Sequence, residues 1–331
     1  MIQMIIKRMV SALAMLTVLS MIAFVLIQLP PGDYADAYAG KKSQGGAVMT
    51  AEQIEEIRDK LGLNEPLYIQ YINWASDFVQ GDFGYSWEYH RPVIDVVAER
   101  MPVTLTLVFM TLVFTYFIAV PMGIYCALRQ YSIGDHAISL LGYIGLAIPN
   151  FMFALILLYL SSVFWGTSAG GLFSPVMQDA PWSWEKFKDM MAHIWVPVVV
   201  LGTAGTAFQI RTMRATLLDE LNKMYVTAAR ATGMDERKVI MKYPVRMALN
   251  PVVSTLGWEL TNIISGAPIV GVVMSLPDMG PLFLNSLLNQ DMYLAGALVM
   301  VYCILVILGT LISDLLLMLL DPRIRMGAMK A

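Results

Sequence analysis

The sequence predicts an all-α polytopic membrane protein with about six transmembrane helices and both termini in the cytoplasm. Three observations predict it. Of the 331 residues, 57% are hydrophobic and 14% charged, against a charged share of about 25% in soluble domains. Apolar windows long enough to cross a hydrocarbon core of about 30 Å recur along the chain. They lie near 9–30, 102–128, 137–165, 194–213, 248–274 and 294–320. Finally, Lys7, Arg8, Arg129, Arg211, Arg214, Lys223, Arg230, Arg237, Lys238, Lys242, Arg246, Arg323, Arg325 and Lys330 fall on the N-terminal side of the membrane. Lys41, Lys42, Arg58, Lys60, Arg91, Arg100, Lys186 and Lys188 are spread over longer loops on the other. The excess of basic residues in short loops sets the orientation.

The first span, within a segment 1–30, follows Lys7 and Arg8. Its apolar stretch is too long for a signal-peptide core, and no small-residue cleavage site follows it, so it reads as a retained helix. Residues 31–101 read as an external helical cap. Thr50 and Gln53 form a capping-box pattern, Ile54, Ile57 and Leu61 share a face, and Gly62 is placed to end that helix. A second cap helix runs from Pro66 through Tyr68, Tyr71, Ile72 and Phe78 to Gly81, and a third starts at Pro92. The core, 102–320, holds five spans and a cytoplasmic loop at 214–247; residues 321–331 form a cytoplasmic tail. Trp182, Trp184 and Trp195 read as an aromatic belt. Pro149, Pro197, Pro251 and Pro268 are candidate kinks.

Several chemistries lack their residues. Cys126 and Cys303 fall inside apolar runs, as small packing residues do. His90, His136 and His193 lie in separate regions without metal-ligand spacing, and no Walker loop is present. No nucleophile or paired carboxylates occur at suitable spacing in the spans, and no inverted repeat of the kind a stand-alone secondary transporter uses is evident.

The informative stretch is "YVTAARATGMDERKV", Tyr225 to Val239. Thr216 to Thr232 lacks Pro and Gly and suits one helix; Gly233 is placed to close it in the left-handed conformation, and Asp235 to cap a second helix leading into the fifth span. Ala228, Ala229 and Ala231 would let another surface approach closely, and Tyr225 and Met234 would fill pockets on it. An amphipathic helix lying on lipid headgroups fits the same residues.

Thr227-Ala228-Ala229, three residues and then Gly233 resembles the EAA loop of importer-type ABC permeases, with Thr227 where that loop has Glu. The stretches "PPGD" from Pro30, "LGLNEPLYIQY" from Leu61, "GDFGYSW" from Gly81, "ERMPVTLTL" from Glu99 and "LLLMLLDPRIR" extend the likeness over essentially the whole chain. Together they are similar to the B-type subunit of the dipeptide and oligopeptide permease branch. The resemblance implies a type I importer transmembrane fold in a bacterial or archaeal cytoplasmic (inner) membrane. It further implies a permease that is not itself an enzyme, imports peptides or similar-sized oligomers, and forms half of a pore with a C-type permease. Two ATP-binding subunits would use ATP and Mg, an extracytoplasmic substrate-binding protein would deliver cargo, and membrane lipid would surround the spans. No cofactor of this chain's own and no nucleic acid is implied. Tyr225, Thr227, Ala228, Ala229, Arg230, Ala231, Gly233, Met234 and Asp235 would couple to the ATPase. The family's His-Ala pair is Tyr243-Pro244 here, which leaves oligosaccharides and opines open beside peptides. Ionisable groups inside spans mark pathways, so Glu259, with Trp258 and Asn262, is a candidate for the translocation path; a structural partner for the second permease is the other reading.

Overall fold

The computed structural model of the chain describes residues 2–28, 34–44, 49–60, 62–86, 88–165, 170–174, 176–178, 180–181 and 183–320. The Pro30 to Asp33 motif, Leu61, Trp87, Trp182 and the tail from Asp321 lie outside them. By length and composition five helices can each cross a membrane, and six spans result if one bent pair is a single crossing. The described chain divides into two compact units.

One unit is formed by Ile6–Val103 and Asp278–Leu305. It takes most of α1 (Ile2–Gln28), then α2 (Tyr34–Gln44), α3 (Ala51–Lys60) and α4 (Leu67–Gln80). The capping box is present: Thr50 N–H donates to Gln53 Oε1 at 3.0 Å and Gln53 N–H to Thr50 Oγ1 at 3.4 Å, so two amide donors at the start of α3 are satisfied locally. Gly81 ends α4 at φ 88. Aromatic side chains tie α4 to α1, with Phe24 edge-on to Tyr71 at 5.6 Å and the Tyr71 hydroxyl 2.8 Å from Ser20 Oγ. A two-residue hairpin, β1 (Tyr85–Ser86) with β2 (Arg91–Pro92), follows. Ser86 Oγ donates to Asp291 Oδ2 at 2.5 Å across 205 residues, and Asp291 Oδ1 accepts the Leu294 N–H. The core packs Val93, Val96 and Val97 against Met279 and Leu282 of α13 (Met279–Leu288) and Leu294 and Leu298 of α14 (Met292–Leu320).

The helix expected to start at Pro92 does not stop before the second span: α5 runs unbroken from Val93 to Leu128. It therefore enters the other unit, built mainly from Thr104–Pro277 and the chain from Val306. There α6 (Ile133–Ala147) and α7 (Asn150–Trp165) meet at 105° around Ile148 and Pro149. Pro149 cannot donate the amide that a continuous helix needs there. Next, α8 extends over Trp184–Leu221, well beyond the 194–213 window, because Ser183 caps its start by accepting the Lys186 N–H at 3.2 Å. Hydropathy sees only the apolar part of such a helix. Gly123 and Gly202 allow close approach: an added Cβ would meet Met213 Cβ at 2.6 Å and Phe114 Cδ1 at 2.8 Å, respectively.

Two further expectations of continuity fail. The helix expected over 216–232 breaks at Asn222–Lys223 between α8 and α9 (Met224–Ala231), where the Asn222 amide donates to Leu218 O at 3.1 Å and satisfies a terminal carbonyl. The fifth span divides into α11 (Pro244–Ser254) and α12 (Leu256–Val273), preceded by α10 (Glu236–Lys242). At the Thr255 junction, Thr255 Oγ1 donates to Val252 O at 2.7 Å. Side chains that bond the backbone locally compete with helix continuation.

Candidate functional site

Two groups of sequence-predicted residues are assembled, both in the unit built mainly from Thr104–Pro277. The first is the α9–turn–α10 element. Gly233 adopts φ 75 and its N–H donates to Arg230 O at 3.0 Å, closing α9. Arg230 then grips Glu236 across the turn, Nε donating to both carboxylate oxygens at 3.1 Å and a terminal nitrogen to Oε1 at 2.8 Å. That pairing holds the Glu236 carboxyl below its usual range. Beneath the turn, Val226, Ala229 and Val239 are buried together, with Met234 and Tyr243 packed against them. A helix of eight residues is marginal alone; this small core and the ion pair give the element one shape.

Ala229 and Met234 thus face inward and hold the element together. The outward face consists of Tyr225, Thr227, Ala228 and Ala231, with Met224 at 86% exposure beside them. The Tyr225 hydroxyl donates to Glu220 Oε2 at 2.5 Å, tying α9 to the end of α8, and burial with that carboxylate pushes the phenol upward. Asp235 occupies the cap position of α10 without a side-chain capping bond. An exposed apolar residue at the tip, Met224, was legible as the first residue after Lys223 but carried no signal of its own.

The end of α8 is fastened separately. Arg214 Nε and a terminal nitrogen donate to the two oxygens of Asp135 at 2.9 and 2.8 Å. Asp135 is buried at the start of α6, where it also accepts the Tyr131 N–H at 2.9 Å. Bidentate guanidinium–carboxylate pairs are directional as well as strong, so α6 and this part of α8 are held at a fixed angle to one another.

The second group is a cavity of about 280 Å³ between α6, α7, α8 and α12, lined by Asn150, Gly205, Phe208, Trp258, Glu259 and Asn262 among others. Trp258 and Asn262 are exposed, whereas Glu259 is only 3% exposed. Behind Glu259 stands a polar cluster not anticipated from the sequence. Gln209 Nε2 donates to Thr255 Oγ1 at 2.6 Å and lies 3.3 Å from Tyr116 Oη and 3.5 Å from Glu259 Oε1. Gly205 makes room for the carboxylate, since a Cβ there would meet Glu259 Oε2 at 2.5 Å. The signal for Gln209 was a polar amide inside an apolar window; its partners are 46 to 93 residues away. Among the described residues no group of three or more metal-ligating side chains occurs.

Comparison with known proteins agrees with this architecture. Residues 119–326 match the family "Binding-protein-dependent transport system inner membrane component", and residues 1–108 match its N-terminal companion. The chain is 34% identical over 321 residues to the oligopeptide transport system permease protein AppB of Bacillus subtilis, covering 97% of this chain and 98% of that one. It is 32% identical to OppB of Haemophilus influenzae, another oligopeptide transport system permease protein, over 98% of this chain and 100% of the relative. The dipeptide transport system permease protein DppB of Escherichia coli K12 is 28% identical, over 98% and 99%. Among solved structures, a chain of the MetNI methionine ABC transporter, in inward-facing conformations, superposes with a TM-score of 0.54. It has 17% identity and covers 68% of this chain and 96% of that one; the likeness is one of fold.

Proposed function

Because the chain belongs to the binding-protein-dependent transport system inner membrane component family of ABC importers, as a multi-pass inner-membrane protein, we propose that it forms half of a peptide-translocating pore. A second, C-type permease supplies the other half. Two cytoplasmic ATPase subunits bind and hydrolyse ATP with Mg, and an extracytoplasmic binding protein delivers the cargo. Both termini and the α9–turn–α10 element lie on the cytoplasmic side. Peptide is the cargo because the relatives that match nearly end to end are named as oligopeptide and dipeptide permeases.

The observation that carries the mechanism is the compact α9–turn–α10 element. It has its own buried core and an ion pair across a left-handed glycine, and it presents Tyr225, Thr227, Ala228 and Ala231 outward. In this reading it seats in a cleft of an ATPase subunit. Closure of the ATPase pair pushes the element as a rigid body, and the Tyr225–Glu220 bond at the end of α8, with α11 at the element's far side, carries the displacement into the spans. A flexible loop would absorb the same push. The Arg214–Asp135 pair takes α6 along with α8. The rearrangement is a population shift between inward-open and outward-open states, driven by the difference in ATPase contacts between them. The cavity beside Glu259 lies on the path that opens and closes.

The test is affinity purification of the tagged chain from its native membrane in mild detergent, with mass spectrometry of the co-purifying proteins, then reconstitution with the binding protein. Recovery of a second permease and ATPase subunits, with ATP-dependent uptake of peptides but not oligosaccharides, is expected. A chain recovered alone, under conditions that preserve a known transporter complex, refutes the importer reading; uptake of oligosaccharides alone refutes the cargo.

A further inference from the structure

We infer that the Glu259 cavity is a subsite for a primary ammonium group, and that the amino terminus of a peptide in transit occupies it; this rests on the peptide-importer reading above. The argument starts from charge. A carboxylate taken out of water is costly unless a cation or several donors compensate it. Glu259 is 3% exposed. Its hydrogen bond is a long one, 3.5 Å from Gln209 Nε2 to Oε1. That amide has two hydrogens and three neighbouring oxygens, Thr255 Oγ1 being much the nearest at 2.6 Å, so Glu259 receives the weakest share. Tyr116, Gln209 and Thr255, which surround the carboxylate, are uncharged. Neither is there a lysine, arginine or histidine in the cavity lining.

The groups behind the carboxylate do not compensate it either. Gln209 is completely buried, and its Oε1 has no hydrogen-bond partner. Thr115 and Thr206, also buried, have unpartnered hydroxyls, and Thr115 Cγ2 lies 3.5 Å from where a Gly205 Cβ would be. Gly205 matters for the same reason: without a side chain it leaves the space between α8 and α12 that the carboxylate occupies at the cavity wall. Glu259 and the unpartnered Gln209 Oε1 are therefore acceptors short of donors. An ammonium group brings three donors and a positive charge. Trp258, 64% exposed, lines the same cavity, and an indole ring is a good partner for a cation. Asn150 and Asn262 can bond the first peptide unit behind the amine. At about 280 Å³ the cavity is at the small end of ligand sites; it holds one end of an oligomer rather than the whole. An oligosaccharide without an amine has nothing to give the carboxylate.

The test uses the complete permease–ATPase complex in detergent. Esterification of Glu259 by a diaryldiazomethane, which takes up the carboxyl proton, loses N2 and does not couple amines, is followed by mass spectrometry with a tripeptide amide present, or with the same tripeptide amide N-acetylated. The free amine is expected to slow modification by about tenfold, equivalent to roughly 1.4 kcal/mol, and the acetylated peptide to leave it unchanged. Equal protection by both, or protection by neither, overturns the inference. In proteoliposomes, Glu259→Gln is expected to lose uptake of the free-amine peptide and Glu259→Asp to retain a substantial part of it. Native uptake by Glu259→Gln overturns the subsite, as does a Glu259→Gln chain that no longer binds the second permease, which would make Glu259 an interface residue. If the native complex imports the peptide but Glu259 is not protected, only this inference falls; if it imports no peptide, the importer reading falls first.

Discussion

Gly233 offers the sharpest test of the coupling reading, because its backbone requirement can be separated from its packing. At φ 75 it sits where L-residues are strained, and a Cβ added to it would meet nothing within 4 Å. Replacement therefore introduces no clash, and the expected cost is the backbone preference alone, about 1–2 kcal/mol for an L-residue in the left-handed region. Asparagine tolerates that region best among non-glycine residues and a β-branched residue worst. The series Gly233→Asn, Gly233→Ala and Gly233→Val should thus weaken the closed form of the α9–α10 turn in that order. If the ATPase recognises only that form, 1–2 kcal/mol becomes a loss of up to about 5- to 30-fold in affinity, in full where the strained turn opens in the free permease. The assay is binding of purified ATPase subunit to permease in nanodiscs, with uptake measured in parallel and membrane insertion followed by fractionation. Insertion should be unchanged across the series, while affinity and uptake fall together, most for valine. A valine variant with native affinity and native uptake would refute the claim that a preformed rigid turn transmits the ATPase stroke.

Three further predictions follow from particular contacts. Arg214→Ala leaves the buried Asp135 carboxylate unpaired and should lower thermal stability by about 2–3 kcal/mol, the low end for a broken buried pair because Arg214 is partly exposed; Asp135→Asn with Arg214→Ala should cost less than Arg214→Ala alone, and an equal or greater loss would show that the pair's charge is not the cause. Gly205→Ala and Gly142→Ala should have opposite signs in a denaturation assay. Helix propensity favours alanine by up to about 1 kcal/mol, and the Gly142 site meets Ala207 Cβ at an ordinary 3.5 Å, whereas the Gly205 site collides with Glu259 Oε2 at 2.5 Å; stabilisation by both would mean that the carboxylate moves freely. Asp278, at the start of α13, is pushed up to about 7 by burial, and neither of its carboxyl oxygens has a hydrogen-bond partner among the described residues. Its folded value exceeds its unfolded one, so the folded state binds the proton more tightly and stability should fall as pH rises from about 4 to about 7. Asp278→Asn should flatten that slope and gain about 3–4 kcal/mol above pH 7; an unchanged slope on titrating the variant's unfolding would remove Asp278 as its cause.

Much of the chain was legible because hydropathy and capping act within a few residues. The apolar windows marked the spans, and Thr50 with Gln53, Gly81 and Gly233 form the caps and turns that their spacing predicted. The continuity of α5 and the ends of α8 were not legible. Polar and amphipathic residues continue these helices beyond the apolar windows, and a hydropathy average reports what dissolves in lipid rather than where hydrogen bonding stops. The breaks at Asn222 and Thr255 escaped for a related reason: their side chains divert nearby carbonyls, a choice that helix propensity does not record.

What the sequence by itself determined is the class of protein, the placement of its apolar segments and the charged, glycine-closed stretch between α8 and α11. Only the tertiary structure decided that Ala229 and Met234 of that stretch turn inward, that Arg214 meets Asp135 from 79 residues away, and that Gln209 and Gly205 stand beside Glu259. The physical reason is range. Helix formation and membrane partition are settled by each segment and its solvent, but the pairing of a buried charge depends on which helix faces it, and that is fixed only when the helices pack.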